Sequence, residues 1–269
     1  MKISFENIEK LFPNAKVQRD VKIIESKFEI IYLPDFNIYI HLVKINKMLT
    51  ELPNDYFQKM SIILLLKGYN IIHLFEDQLL HNQKSIKDRF ASLLNSNQRI
   101  FARSCKIERI QKDIYDDFIE QNHLMDTANT RFKYGIYYKG ELMGVMGISA
   151  GRWMTKEGEK RKSFEIIRFA TKSNFTIVGG FTKFLKHIKN ELEVDEFMTY
   201  LDLDWAISGV YQKNNFIFKS FSNPLKFFIH KKTLKRFTEK QILSISDFND
   251  SNYISTYNSG NMKLICKYE

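Results

Sequence analysis

The sequence predicts a mixed α/β protein of two domains, and three observations predict it. The 269 residues exceed one ordinary domain, and 44% hydrophobic with 14% aromatic content is enough apolar material for two cores. Runs of β-branched and aromatic residues alternate with helical periodicities along the chain, the pattern of sheets covered by helices. Only 4 Pro and 11 Gly are present, so long linkers and disordered tracts are not expected.

Residues 1–99 read as the first domain. FEIIYLP (Phe28 to Pro34) and FNIYIHLV (Phe36 to Val43) are strand-like and turn at Pro34-Asp35, which predicts a hairpin. DYFQKMSIILLLKG (Asp55 to Gly68) predicts a helix stopped by Gly68. YNIIHLF (Tyr69 to Phe75) predicts a short buried strand. QKSIKDRFASLLN (Gln83 to Asn95) predicts a helix with Ile86, Phe90 and Leu93/Leu94 on one stripe. The polar NSNQR (Asn95 to Arg99) marks the expected boundary.

Residues 100–269 read as the second domain. IFARSCKIERI is strand-like, and DIYDDFIEQNHL (Asp113 to Leu124) is a short helix. FKYGIYYKGELMGVMGIS (Phe132 to Ser149) predicts a hairpin turning at Lys139-Gly140, and GRWMTK is expected as a loop. A strand over Phe164 to Ala170, the pair Gly179-Gly180, an amphipathic helix and a strand over Phe197 to Leu201 follow. LKFFIH (Leu225 to His230) is expected as the last strand, with Ser246 to Asn261 as loop.

The formal net charge of +10 favours a polyanionic partner, most simply nucleic acid, although a Lys-rich composition alone produces the same charge. Lys231, Lys232, Lys235 and Arg236 form the densest basic run and suit phosphate contacts. Trp153 can stack on a base or cover a core edge. Arg168 can face a phosphate or pair with Glu165. Cys105 and Cys266 lie far apart, so no zinc site of the usual spacing can be built, no metal is expected, and a reducing cytoplasm fits best. The N-terminus has no signal-peptide pattern, and Ser61 to Leu66, the longest apolar run, is too short to span a bilayer. A cytoplasmic protein without a membrane partner is expected.

KGYNIIHLFED (Lys67 to Asp77) with SIKDRFASLL resembles the very-short-patch-repair-like branch of the PD-(D/E)xK nucleases, common in phage homing endonucleases. The resemblance runs from about Glu25 to Lys106. It implies a small nuclease-like domain whose carboxylates hold Mg²⁺. At the matching positions this chain carries Ile30 for an Asp, His41 for a Glu and Phe57 for a His. Ile30 and Phe57 can neither bind a metal nor move a proton, so the domain is expected to be catalytically inactive but able to bind DNA. Glu76 and Asp77 remain, either as metal ligands or as a helix-initiating acidic pair.

From residue 113 the element order is helix, hairpin, long strand, glycine loop, helix, strand, helix, strand. That order resembles the GNAT acyltransferases, their DNA-hypermodifying Mom relatives and the C-terminal domain of the same phage endonucleases. EIIRFATKSNFTIVGGFTKFLKHI and YLDLDWAISGVYQKNNF carry the resemblance. It implies a GNAT-like mixed-sheet domain using acyl-CoA or another acyl or aminoacyl donor, with Val178, Gly179, Gly180, Phe181, Thr182 and Lys183 as the phosphate cradle. Glycines at a helix N-terminus turn backbone N–H groups toward an anion. A plain strand-to-helix turn has the same sequence. Where the family motif has Gln or Arg before the glycines and Gly or Ala after them, this chain has Thr176 and Phe181. Asp202 or Asp204 can serve as a general base or cap the next helix. Tyr211 stands where such enzymes often carry a general acid, and can equally pack in the core. His123 is a further catalytic candidate or a surface residue.

Three functions compete. One is a DNA-directed group transferase acting on a base or modified base, reached by base flipping. Another is a non-catalytic DNA-binding protein derived from a phage homing endonuclease. The last is a surviving nuclease using Glu76 and Asp77. The glycine loop and the DLDW segment favour the first.

Overall fold

A computed structural model of the protein describes residues 3–156, 158–205, 207, 209–245 and 248–268. The chain opens with β1 (Ile30–Leu33), β2 (Ile38–Val43), helix α1 (Tyr56–Leu66), β3 (Asn70–Phe75) and helix α2 (Glu76–His81). It continues through α3 (Gln83–Leu93), β4 (Gln98–Phe101), β5 (Cys105–Arg109), α4 (Lys112–Asn122), β6 (Phe132–Tyr138), β7 (Glu141–Ile148) and β8 (Arg152–Lys156). Next come β9 (Glu159–Thr171), β10 (Phe175–Val178), α5 (Gly180–Leu192), β11 (Glu196–Asp202), α6 (Gly209–Gln212) and β12 (Ile217–Phe221). β13 (Lys226–His230), β14 (Arg236–Thr238), α7 (Glu239–Ile242), β15 (Tyr253–Tyr257) and β16 (Asn261–Lys267) close it.

These elements form two compact units, and both are discontinuous in sequence. The first comprises 1–83, 201–207 and 221–262; the second comprises 84–200, 208–220 and 263–269. This differs from the expected division at 99/100 in two respects. The helix α3 belongs with the second unit, because Asp88 accepts the Ser173 hydroxyl at 2.6 Å. Residues 221–262 belong with the first, so the segment after β12 is a long excursion before the chain returns through β16.

In the first unit β1 and β2 form the expected antiparallel hairpin, and β3 pairs β2 in parallel, with His41 opposite His73. Every residue of β2 is buried, as expected for a central strand. Ile30, Tyr39, Met60, Leu64 and Ile71 pack one core cluster, and Val43, Leu49, Phe57, Phe75 and Ile254 another. A separate antiparallel sheet has the order β14-β13-β15. β15 corrects the loop expected over 246–261, of which residues 246 and 247 lie outside the described residues. Its alternating burial is a weak period-2 signal that the surrounding Asn, Ser and Asp residues mask.

The second unit carries a mixed sheet of order β12-β16-β11-β9-β7-β6-β5, with β8 added to β9. Its described order from α4 onward contains the expected sequence of helix, hairpin, long strand, glycine loop, helix, strand, helix, strand. The β6–β7 turn places Lys139 and Gly140 at φ 50° and 83°, the left-handed pair that a two-residue hairpin turn requires. IFARSCKIERI breaks at Ala102–Ser104 into β4 and β5, which serve different sheets; β4 pairs β10 in parallel. GRWMTK is strand β8 rather than a loop, paired with β9 from Arg152↔Ser163 to Lys156↔Glu159. LKFFIH is not the last strand, since β14, β15 and β16 follow. α5 buries Phe181, Phe184, Leu185, Ile188 and Leu192, the single stripe its periodicity predicts.

Candidate functional site

β9 and β11 are parallel neighbours, paired from Glu196↔Ser163 to Thr199↔Ile166. Beyond that pair β9 runs on to Thr171 and β11 to Asp202 without further pairing to each other. The ladder ends where β9 bulges. Gly147 faces Arg168 and Ile148 faces Ile166, so Ile167 is an extra residue on β9. A bulge bends its strand and increases local twist. Here it coincides with a fork between two parallel strands.

Thr199 closes the fork, its hydroxyl donating to the Ile166 carbonyl at 3.0 Å. The Thr199 side chain is among the groups that offset the rise burial gives the Tyr211 phenol pKa. The Tyr211 ring stands edge-on to Phe181 (5.2 Å between centroids) and to Phe216 (5.5 Å). Burial raises the phenol pKa, so the hydroxyl keeps its proton at neutral pH. Of the two roles the sequence allows Tyr211, its ring takes the packing one, against Phe181 and Phe216.

The glycine loop begins α5. Gly179 is the N-cap at φ 77°, a left-handed conformation that favours glycine, and no side chain caps the helix. The first intrahelical bond runs from Lys183 N–H to the Gly179 carbonyl at 3.0 Å. The N–H groups of Gly180, Phe181 and Thr182 precede it and can meet an anion. The side chains do not add to this cradle. The Lys183 ammonium donates to the Ala102 carbonyl at 2.8 Å and to that of Cys105. Thr182 donates to Asn214 Oδ1 at 2.7 Å. Phe181 is 3% exposed and packs on Phe169 and Tyr211. Val178 pairs with Phe101 of β4. The backbone of 179–182 thus fits a phosphate group, while the cation and hydroxyl expected at 182–183 hold neighbouring chain instead. Asn214 and the 102–105 turn leave no spacing signal in the sequence.

His123 is half-buried, and its Nδ1 lies 3.0 Å from the Met125 N–H and 3.1 Å from the Met125 carbonyl. Burial, with the charges of Arg168 and Arg89, lowers its pKa to about 4. It is neutral at pH 7 and too weak a base to accept a proton there. Arg168 donates to the Asp126 carbonyl at 3.2 Å and to its own Ile167 carbonyl at 2.9 Å. It braces the bulge rather than offering a phosphate contact. Trp153 is 67% exposed on β8, opposite Lys162.

The remaining candidates belong to the first unit. Asp202 Oδ1 accepts the Asp204 N–H at 2.9 Å, the capping role open to it in the sequence. Asp204 is buried and accepts the Ser259 N–H at 2.9 Å. Burial, then the Asp202 charge, raises its carboxyl to about 7. Arg236 is corrected from a phosphate contact: it makes a two-pronged ion pair with buried Asp77, at 2.6 and 2.8 Å, under the Phe75 and Phe227 rings. Glu76 accepts the Ile45 N–H at 2.9 Å. Both acidic residues of HLFED are thereby engaged by protein groups. Lys231 donates to the Ser251 carbonyl, Lys235 lies over Phe237, and both are exposed, as is Lys232. Among the described residues no group of three or more His, Cys, Asp or Glu is placed to hold a metal ion, and no helix is long and apolar enough to cross a membrane.

No family model matches this sequence, and no curated protein matches it. Solved structures similar to it include three acetyltransferases. One is a GNAT family enzyme from Elizabethkingia anophelis with acetyl-CoA bound, at 12% identity over 61% of this chain and 99% of that one, TM-score 0.34. Another is Arabidopsis thaliana Naa50 in complex with a bisubstrate analogue, at 9% identity, the same coverage and TM-score 0.39. The third is a Bacillus subtilis acetyltransferase in complex with CoA, at 17% identity, again the same coverage, TM-score 0.33.

Proposed function

We propose that the second unit transfers an acyl or aminoacyl group from an acyl-CoA-type donor to an amine of a DNA base or a hydroxyl of a modified base. The observation that carries this reading is the fork, where β9 bulges and Thr199 closes the gap, together with the start of α5 packed against the Tyr211 ring. When bound, an acyl-CoA supplies an activated thioester carbonyl. The N–H groups of Gly180, Phe181 and Thr182 hold its phosphates at the positive end of the α5 dipole. Tyr211, protonated at neutral pH, would give its proton to the sulfur as the C–S bond breaks and the acceptor's C–N or C–O bond forms, and the proton the acceptor's amine or hydroxyl releases would restore the phenol. Trp153, Lys231, Lys232 and Lys235 are exposed groups of the kinds that stack on bases and meet phosphates, and the charge of +10 favours DNA.

In this reading the first unit is a nuclease-derived DNA-binding domain without nuclease activity. Buried Ile30, His41 and Phe57 stand where the resemblance places metal ligands and a catalytic His, and Glu76 and Asp77 serve the fold. The alternative, a DNA-binding protein without catalysis, draws on the engagement of Thr182 and Lys183 by protein groups.

Radiolabelled acetyl-CoA incubated with the full chain and duplex DNA tests the reading. Label is expected in the DNA. Tyr211→Phe is expected to lower kcat about 100-fold with the donor KM nearly unchanged, the size of a lost general acid. Transfer that is absent, or equal in wild type and Tyr211→Phe, contradicts it.

A further inference from the structure

The parallel pair β4–β10 leads into the glycine loop, and nothing above uses its outer face. Both strands lie in the second unit and pair from Gln98↔Phe175 to Phe101↔Val178. Their carboxyl ends therefore stop together, immediately before Gly179. Alternation gives the pair two faces. Ile100 and Ile177 are buried on one of them. Arg99 beside Thr176, and Phe101 beside Val178, stand on the other. There Phe101 is 50% exposed, and Arg99 is exposed as well. Arg103 follows in the 102–104 turn, is exposed, and holds its guanidinium over the Phe101 ring, 5.2 Å from the centroid. Among the described residues neither arginine has a carboxylate partner. The turn is held against the glycine loop. Lys183 donates to the carbonyls of Ala102 and Cys105, one on each side of Arg103. The Ala102 methyl lies 3.7 Å from where a Gly179 Cβ would stand. The cation that does not reach the cradle from α5 thus fixes a turn that presents another one.

We infer that Arg99, Phe101 and Arg103 form a nucleotide platform, which takes the adenosine bisphosphate end of the donor. This rests on the acyl-CoA-type donor proposed above and names the residues that grip its far end. The purine stacks on the Phe101–Arg103 pair, since a base stacks equally on an aromatic ring and on a guanidinium plane. Arg99 stands two residues before Phe101 on the same face, about 7 Å along the strand, and meets a phosphate beside the base. Ligands of parallel α/β sheets gather outside the carboxyl ends of the strands, where a helix N-terminus also points. The platform ends at that place. Phe101 is one strand spacing, about 4.8 Å, from Val178, so a nucleoside spans from the ring to the start of α5.

The mixture of groups selects the ligand. An apolar partner would strip water from two guanidiniums and give them nothing in return. A simple anion would meet the arginines and leave the Phe101 ring in water. A nucleotide satisfies both, with one flat apolar surface and phosphates next to it. A nucleotide of DNA has the same chemistry. Position decides for the donor, because the face runs straight into Gly179 and the Lys183 clamp ties its turn to the helix that begins there.

Calorimetric titration of the full chain with adenosine 3′,5′-bisphosphate tests it, because that probe has neither thioester nor pantetheine arm. The wild type is expected to bind. Phe101→Ala is expected to weaken binding about tenfold, the size of one lost stack. Arg103→Lys keeps the charge without the stacking plane and is expected to lose about as much. Arg99→Gln is expected to lose about threefold, the size of an exposed ion pair, and Arg99→Lys almost nothing. Acetyl-CoA is expected to weaken by the same factors. No bisphosphate binding by the wild type, or binding unchanged in Phe101→Ala or in Arg103→Lys, overturns the platform whatever acetyl-CoA does. The expected bisphosphate pattern with no acetyl-CoA binding leaves the platform standing and removes the acyl-CoA donor. Displacement of the bisphosphate by a single-stranded oligonucleotide gives the face to DNA and overturns the inference.

Discussion

Asp77→Ala is expected to destabilise the first unit by about 3–5 kcal/mol, the cost of leaving a buried guanidinium without its carboxylate. Asp77 is 2% exposed and its partner Arg236 is 17% exposed in the side chain. The two hydrogen bonds and the Phe75 and Phe227 rings hold Arg236 in place. The cost arises from the orphaned charge, so replacing both partners is a different experiment. Asp77→Leu with Arg236→Met is expected to recover most of the loss, because a well-packed apolar pair of similar volume needs no desolvated ions. Urea unfolding followed by tryptophan and tyrosine fluorescence measures both. A single-variant loss below about 1 kcal/mol, the range of an exposed pair, contradicts the account.

The stability of the protein is expected to rise from acid pH and to level off near pH 7, because two opposed sets of titrations act on it. Asp204 has its carboxyl raised from 3.8 to about 7. Its contribution is complete below about pH 4 and is lost as pH rises through about 7, by about 4 kcal/mol over that window. His73 is lowered from 6.5 to about 3. Its contribution is complete above about pH 6.5 and is lost as pH falls toward 3, by about 5 kcal/mol. His41 is shifted in the same direction as His73, so the histidines outweigh Asp204 on the acid side. Between about pH 6.5 and 8 the last protons leaving the unfolded histidines offset those leaving Asp204, so the wild type is expected to be nearly level there. Asp204→Asn removes the opposing titration, so its stability relative to wild type is expected to rise by about 4 kcal/mol between about pH 4 and 8. Denaturation midpoints of both proteins at several pH values across that window check this. A difference between the two that is the same at about pH 4.5 and 8 contradicts it.

Much of the architecture was legible because its signals are local. The Pro34-Asp35 hairpin, the Lys139-Gly140 turn, the α1 helix ending before Gly68 and the Ile86/Phe90 stripe each follow from residues within a few positions of one another. What was not legible depends on distant partners. Trp153 looks like part of a loop until Lys162 stands opposite it. β15 is polar enough to read as loop and becomes a strand by pairing with β13. The excursion of 221–262 into the first unit has no punctuation in the sequence, because it is decided by contacts such as Arg236 with Asp77, 159 positions apart.

The candidate site divides in the same way. Gly179 at the N-cap of α5 follows from a Gly-Gly pair before a helical periodicity, whereas Tyr211 was marked by the resemblance alone. The roles of Lys183, Thr182 and Arg168 do not, since a cation or hydroxyl at the right offset is equally suited to a phosphate and to a neighbouring carbonyl. Only the 102–105 turn, Asn214 and the Asp126 carbonyl decide between them. Thr199, which bonds the Ile166 carbonyl at the fork, sits inside an ordinary strand pattern. His41 and His73 are 32 positions apart, and only the parallel register of β2 and β3 brings them together.

The central claim is that the backbone at the start of α5 holds the phosphates of an acyl-CoA-type donor. Calorimetric titration of the full chain with acetyl-CoA tests it most directly, using Gly179→Asn and Gly179→Asp as a matched pair. Both side chains tolerate the left-handed backbone at φ 77°, and a Cβ there meets only the Ala102 methyl at 3.7 Å. They differ by one negative charge beside the helix N-terminus. The account predicts that wild type and Gly179→Asn bind, and that Gly179→Asp loses about tenfold or more in affinity through repulsion of the donor's phosphates. No binding by the wild type, or equal binding by the two variants, would contradict it.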